Sequence, residues 1–343
     1  MPDHIYFDPR YDAANIPVAD DRIRRIPALT CLLRVLPWLV LPLLCMQVRA
    51  QEGSAQALAL QYQSLRQQPD SRVPGVPLAI HSFEQENQLH GEVYALLEKP
   101  FDVLQQRMVL PSQWCQMILL HLYISACTSE PASGQDWMTF HSGGKANVLL
   151  QKAYPLRFHF QVSDSSPAHL ELLLRAGEGP FGTSDYRISL SAIPVPQGSF
   201  IRMSYSFRSS LASRLATTVY LASAGRDKIG FTVLEKNSDG SPHYLGGTRG
   251  IAERNAVRYY FAMQAHMESL DLPAGQRFAQ ASTRWFDLTE HYPGQLHEVE
   301  REDYLAAKKQ QWQEQGRLQQ KLTAQNPLAD PLAANQTPQG THP

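Results

Sequence analysis

Apolar and polar residues alternate with period two through four successive runs in the middle of the chain. Leu156, Phe158, Phe160 and Val162 share one face against Arg157, His159 and Gln161. Leu170, Leu172 and Leu174 oppose Glu171 and Arg175; Tyr186, Ile188 and Leu190 oppose Arg187 and Ser189; Ile201, Met203, Tyr205 and Phe207 oppose Arg202, Ser204 and Ser206. Such alternation, broken by short turns at 163–166 and 194–198, predicts an antiparallel meander with one apolar and one solvated face. Upstream, 78–99 reads as a long strand or hairpin, Pro100 and Pro111 punctuate two short helices (the second over 112–122, with Trp114, Met117, Ile118 and His121 at helical spacing), and 123–127 and 137–141 read as short strands. Downstream the period becomes helical. Helices are predicted over 211–224, 251–270, 275–290 and 298–320, the second presenting Ala256, Tyr260, Met263, Met267 and Leu270 as a single stripe and the last carrying Lys308, Lys309, Arg317 and Lys321 on a polar surface. The long 251–270 helix must cover the apolar face of the sheet.

Gly91-Glu92-Val93-Tyr94, Pro100-Phe101-Asp102-Val103 and Pro111-Ser112-Gln113-Trp114-Cys115 resemble the first strand and paired helices of START-like proteins. Together with the element order, over residues 77–270, the chain resembles the helix-grip fold of the START and polyketide-cyclase (SRPBCC) superfamily. The resemblance implies an α+β fold, a helix-grip-like curved antiparallel sheet wrapped around a long C-terminal helix, with additional C-terminal helices over 271–322. It departs from a minimal START-like domain in the helix after Leu211 and in the helical residues beyond Leu270. Gly225-Arg226-Asp227-Lys228-Ile229-Gly230-Phe231-Thr232 and Gly246-Gly247-Thr248-Arg249-Gly250 with Glu253-Arg254-Asn255 resemble segments of uncharacterised exported bacterial proteins.

Charge narrows the class of partner. The 343 residues carry 31 Lys+Arg against 32 Asp+Glu and are only 18% charged, without a clustered basic run, which removes nucleic acid as a partner. At the amino end a polar preface is followed by Arg22, Arg24 and Arg25, an apolar run over 26–46 and Val48-Arg49-Ala50, the layout of a secretory signal cleaved after Ala50. Arg34 shortens the clean apolar stretch below the roughly 20 residues that span a bilayer; an uncleaved anchor in the inner membrane is the alternative to a periplasmic or secreted protein. Residues 51–76 read as a Gln/Ser/Pro-rich linker with a short helix near 57–67, and 323–343 as a disordered tail. Export would leave Cys115 and Cys127 as the mature cysteines, to be read as a disulfide or as two buried thiols.

Catalytic and cofactor motifs do not carry through. Gly177-Glu178-Gly179-Pro180-Phe181-Gly182 matches GxGxxG but precedes a strand where the dinucleotide loop must open a helix, so it is read as a hairpin turn. Gly143-Gly144-Lys145 lacks the following hydroxyl of a phosphate loop; HExxH and the GxSxG elbow are missing. No cofactor or metal is implied. The chemistry that stands out is a charge cluster in a charge-poor chain: Arg226, Asp227, Lys228, Arg249, Glu253, Arg254 and Arg258. Arg249 can pair with Glu253, whereas Arg254 and Arg258 repel at i,i+4 and need a counter-charge, from Asp185, Asp227 or Glu253 or from an anionic ligand. Tyr205, Phe207, Tyr260, Met263 and Met267 either pack as core or line a cavity, where flexible Met beside aromatics suits an apolar ligand. The ligand-binding candidates are therefore Tyr186, Arg187, Tyr205, Phe207, Arg249, Arg254, Arg258, Tyr260, Met263 and Met267, for a lipid or other hydrophobic small molecule. Two alternatives stay open: a cyclase or hydrolase using Asp185, Tyr186, Arg187 or His159, and an envelope protein that meets a partner or a membrane surface through the helices after Glu298.

Overall fold

The computed structural model describes residues 41–67, 77–132, 135–143, 148–223, 226 and 228–325. Most of the apolar run 26–46, residues 68–76, Gly144 and Lys145, Asp227 and residues 326–343 lie outside them. The order is α1 (Leu41–Arg66), β1 (Pro77–Gln85), β2 (Gln88–Leu97), α2 (Phe101–Met108), α3 (Pro111–Ile118), β3 (Ile124–Ala132), β4 (Gln135–Ser142), β5 (Tyr154–Ser166), β6 (His169–Glu178), β7 (Ser184–Val195) and β8 (Gly198–Arg208). There follow α4 (Leu211–Ala222), the small hairpin β9 (Val233–Lys236) and β10 (Pro242–Tyr244), then α5 (Gly247–Ser269), α6 (Ala274–Glu290), α7 (Pro293–Leu296) and α8 (Arg301–Gln325).

Eight strands form one antiparallel sheet in the order β1-β2-β8-β7-β6-β5-β4-β3. The alternating residues do what their period demands: Leu156, Phe158, Phe160, Leu170, Leu172, Leu174, Ile188, Leu190, Ile201 and Met203 are buried on the inner face, which packs on α5, while Val162 at the strand end is exposed. This is an α+β, helix-grip-like architecture. Gly91 on β2 permits the grip, because a Cβ there would stand 2.6 Å from the Ala252 carbonyl oxygen of α5. The GxGxxG segment is the β6–β7 turn, closed by Gly179 N–H donating to the Thr183 carbonyl at 2.8 Å.

Three features depart from the expected pattern. First, α5 is buried on nearly every side rather than along one stripe, since α3, α6 and α7 pack on the flanks the sheet leaves open. One apolar core therefore runs from Ile80 to Tyr304, and the helices beyond residue 270 share it. Second, the outer sheet face is not wholly solvated. Leu58, Tyr62 and Leu65 of α1 cover Ala79, Ile193 and Phe200, with Tyr62 Oη donating to Gln197 at 2.8 Å, so residues 58–65, within the segment read as a linker, are docked on the sheet. The helix also runs unbroken through the expected cleavage point at Ala50. No helix among the described residues is long and apolar enough to cross a membrane.

Third, the polar face of α8 is turned inward. β3 is an edge strand, whose unpaired N–H and C=O groups need partners. Gln315 accepts from Cys127 N–H at 2.7 Å, and Gln319 both accepts from Ser129 N–H and donates to its carbonyl, each at 2.9 Å. Lys308 donates to the His121 and Ile124 carbonyls at 2.9 and 2.8 Å, and Tyr304 Oη to the Leu120 carbonyl at 2.8 Å. Residues 304, 308, 311, 315 and 319 make a helical stripe that replaces a ninth strand with side chains. Lys308, expected on a solvated face, is fully buried.

Cys115 on α3 and Cys127 on β3 are joined in a disulfide. The crosslink closes a short loop across a sequence separation of 12; in the chain-entropy account a loop of this size is worth about 3 kcal/mol. Unfolding in denaturant with and without reductant should show a loss of that order, and superimposable curves would contradict it.

Candidate functional site

Aromatic rings gather where the inner face of β7 and β8 meets α5. Tyr186 stacks on Phe207 with centroids 5.4 Å apart, Tyr205 lies 5.7 Å from Phe207 and 5.5 Å from Tyr259, and Tyr259 stacks on His121 at 4.5 Å. Strand alternation places Tyr205 and Phe207 on one face, and α5 delivers Tyr259. Tyr205 and Phe207 remain half-buried although packed against the core. Burial, and then the neighbouring Tyr259, pushes the Tyr205 hydroxyl well above its ordinary pKa, so it stays protonated and acts as a donor or acceptor without charge.

A polar cluster adjoins this array. Arg258 is buried on α5; its Nη2 donates to Glu298 at 3.0 Å and to the Leu296 carbonyl at 3.3 Å, and its guanidinium lies 5.6 Å from the Tyr123 ring centre. Arg254, one turn earlier, donates to the Ile229 carbonyl at 3.1 Å, and burial followed by Arg258 lowers its pKa. Lys228 comes within 3.8 Å of the same Glu298. The counter-charge is thus Glu298, brought in by α7, and not Asp185 or Glu253; Asp227 lies outside the described residues. Burial pushes the Tyr123 hydroxyl up to about 12.

Two donors in this cluster lack an acceptor among the described residues. His121 is held neutral, its pKa lowered well below 6.5 by burial and then by Arg258 and Lys308. Tyr123 N–H points at its Nδ1 at 3.3 Å, so the ring proton sits on Nε2, and that buried atom has no hydrogen-bond partner. Arg258 Nε is buried and unpartnered as well. Unsatisfied buried donors are costly, on the order of 1–3 kcal/mol each.

The other predicted residues separate from this place. Arg187 is exposed on the outer face, because adjacent strand residues point to opposite sides and Tyr186 takes the inner one. Arg249 bonds the Ser82 carbonyl at 2.8 Å rather than Glu253. Tyr260, Met263 and Met267 are fully buried in the core. Asp185 forms an exposed pair with Arg208 at 3.0 Å and His159 packs beside Trp137 on the outer face, so the acid and base groups of the cyclase alternative are not assembled. Among the described residues no group of three His, Cys, Asp or Glu could hold a metal ion. Two grooves lie elsewhere. One of about 810 Å³ runs between α3, β3 and α8; one of about 460 Å³ lies beside the end of α4 and the start of α5, touching Leu221, Arg226, Lys228 and Ile229. Sequence reasoning missed His121, Tyr123, Tyr259 and Glu298; Tyr259 could have been found from its place beside Tyr260 on a helix that also carries Arg258.

No family model and no curated protein matches the chain. Among solved structures it is similar to a conserved protein of unknown function from Enterococcus faecalis, at 6% identity over 62% of this chain and 92% of that one, TM-score 0.32. CalU16 from Micromonospora echinospora aligns at 9% identity over 64% and 96%, TM-score 0.27, and Ara h 8.0201 at 14% over 43% and 92%, TM-score 0.27. Likenesses at these scores carry no functional weight; the fold stands on its own strand order and packing.

Proposed function

We propose that this is an exported binding protein for an amphipathic small molecule, whose apolar body lies on Tyr186, Tyr205, Phe207 and Tyr259 and whose oxygen-bearing, anionic end meets Arg258 and His121. The observation that carries this reading is the pair of buried donors without a partner among the described residues, His121 Nε2 and Arg258 Nε, beside an aromatic array in which Tyr186 and Tyr259 are buried and Tyr205 and Phe207 half-buried. Donors without acceptors select an acceptor-rich group, and a carboxylate gains most from a guanidinium. The disulfide and the signal-like layout of residues 22–50 support export to an oxidising compartment.

Calorimetric titration with dodecanoate and with dodecanol tests it. The carboxylate is expected to bind saturably and about tenfold tighter than the alcohol, a difference of about 1.4 kcal/mol. Phe207→Ala should weaken both ligands equally, whereas His121→Phe, which keeps the stack on Tyr259 and removes the donor, should weaken the carboxylate more than the alcohol. Equal affinity for the two ligands would remove the anionic end, and no saturable binding of either would remove the reading.

A further inference from the structure

The four most exposed large hydrophobic residues among the described ones all fall in one place. Leu211, Leu215 and Val219 stand at i, i+4 and i+8 on α4 with 77%, 67% and 61% exposure, and Phe181 in the β6–β7 turn is 71% exposed. The helix and the turn are fastened together. Ser210 caps α4 by accepting from Ser213 N–H at 3.0 Å and donates its hydroxyl to the Phe181 carbonyl at 2.6 Å. Phe181 holds a left-handed backbone (φ 56°) unusual for a bulky residue. Ser213 is the only buried residue of α4, so the helix contributes little to the core.

We infer that this ridge is a docking surface for a lipid bilayer bearing anionic headgroups. Apolar side chains this exposed protrude instead of lining a groove, and a bilayer interface accepts a protruding apolar ridge without a complementary pocket. The surrounding charge has the matching sign. Residues 186–226 contain no Asp or Glu. Arg208 is paired with Asp185, but Arg214 bonds the side-chain oxygen of Asn87 at 2.8 Å and Arg226 the Ala222 carbonyl at 3.0 Å, both neutral partners, and neither cation meets a carboxylate among the described residues. The same helix carries Tyr220, near enough to act electrostatically on Tyr123 and Arg254, so the ridge and the proposed ligand site share one element. The inference does not depend on ligand binding.

Vesicle sedimentation of the full chain provides the test, with phosphatidylcholine alone or with about one third phosphatidylglycerol. Leu215→Ser combined with Val219→Ser alters only exposed positions; its circular dichroism should match the parent while binding to anionic vesicles falls at least tenfold. Arg214→Gln with Arg226→Gln should abolish the preference for anionic over neutral vesicles. Val219→Trp gives a reading independent of any other membrane-seeking segment: its added emission should be quenched by brominated acyl chains. Unquenched emission, or unchanged binding of the serine variant, overturns the proposal, as would self-association of the parent chain that the serine variant dissolves.

Discussion

Replacing Glu253 by alanine lowers the free energy of unfolding by about 4 kcal/mol, which is close to a thousandfold in the ratio of folded to unfolded chain. The carboxylate is completely buried, yet each of its oxygens accepts two hydrogen bonds. Oε1 takes the hydroxyls of Ser82 and Thr232, each at 2.7 Å, and Oε2 takes the backbone N–H groups of Phe231 at 2.6 Å and Thr232 at 3.0 Å. It therefore ties α5 to strand β1 and to the segment that enters β9. The chain makes room for it at Gly230, where a Cβ would lie 2.5 Å from Oε2. Arg254, its neighbour, holds the carbonyl of Ile229 in the same segment. Alanine leaves four donors unpaired; glutamine keeps one acceptor but turns an NH₂ group toward donors, and should cost about half as much. Urea unfolding measures the loss, and hydrogen exchange at 230–232 should accelerate with it. A loss below about 1 kcal/mol would mean that the segment is held by something other than this carboxylate.

The sheet was legible because a strand half-buried in a meander must alternate, and from 154 to 208 the chain does. The paired helices were legible because Pro100 and Pro111 mark where helices can begin. Of the candidate ligand residues, the sequence could place only some together. Tyr186, Tyr205, Phe207, Arg254 and Arg258 come to one region, but Arg187 could not join them once Tyr186 faced inward, an outcome that strand geometry alone dictates. Charge partners were hidden for a different reason. Glu298 lies 40 positions after Arg258, and nothing in either neighbourhood shows that α7 returns the chain to α5. A helix rich in Gln and Lys reads as solvated because those residues usually are; α8 uses them to satisfy a strand edge, a pairing that exists only in tertiary structure. Burial of α5 on all sides was likewise invisible, because its Glu and Arg residues lower the apparent amphipathicity while Glu253, Arg254 and Arg258 find partners distant in sequence.

Lys308 makes the stability of the protein rise with pH above neutrality. Three oxygens surround its ammonium, the His121 and Ile124 carbonyls and Gln311 Oε1, all within 2.9 Å, and they favour the charged form. Burial opposes it more strongly and brings the pKa down to about 7. In the unfolded chain the group titrates near 10.4. Between about pH 7 and 10 the unfolded state therefore binds more protons than the folded one, so the unfolding free energy increases with pH, by at most about 1.4 kcal/mol per unit. Below pH 7 both states are protonated and the contribution is flat at its least favourable level. Measurements from pH 7 to 9.5 avoid the other buried groups: His121, with its lowered pKa, titrates below this window, and the raised pKa of Tyr304 matters only where unfolded tyrosine begins to ionise near pH 10. Lys308→Met keeps the bulk of the side chain, removes the titration and takes the ammonium donor from the Ile124 carbonyl and from the His121 carbonyl, the latter still accepting from Ile124 N–H at 3.1 Å. Near pH 7 it should cost little, because the charge it removes is the one burial penalises. By pH 9.5 the gap between parent and variant should have widened by about 3 kcal/mol. Parallel stability curves for the two proteins across that range would show that Lys308 stays charged in the fold, held by its three acceptors in spite of its burial.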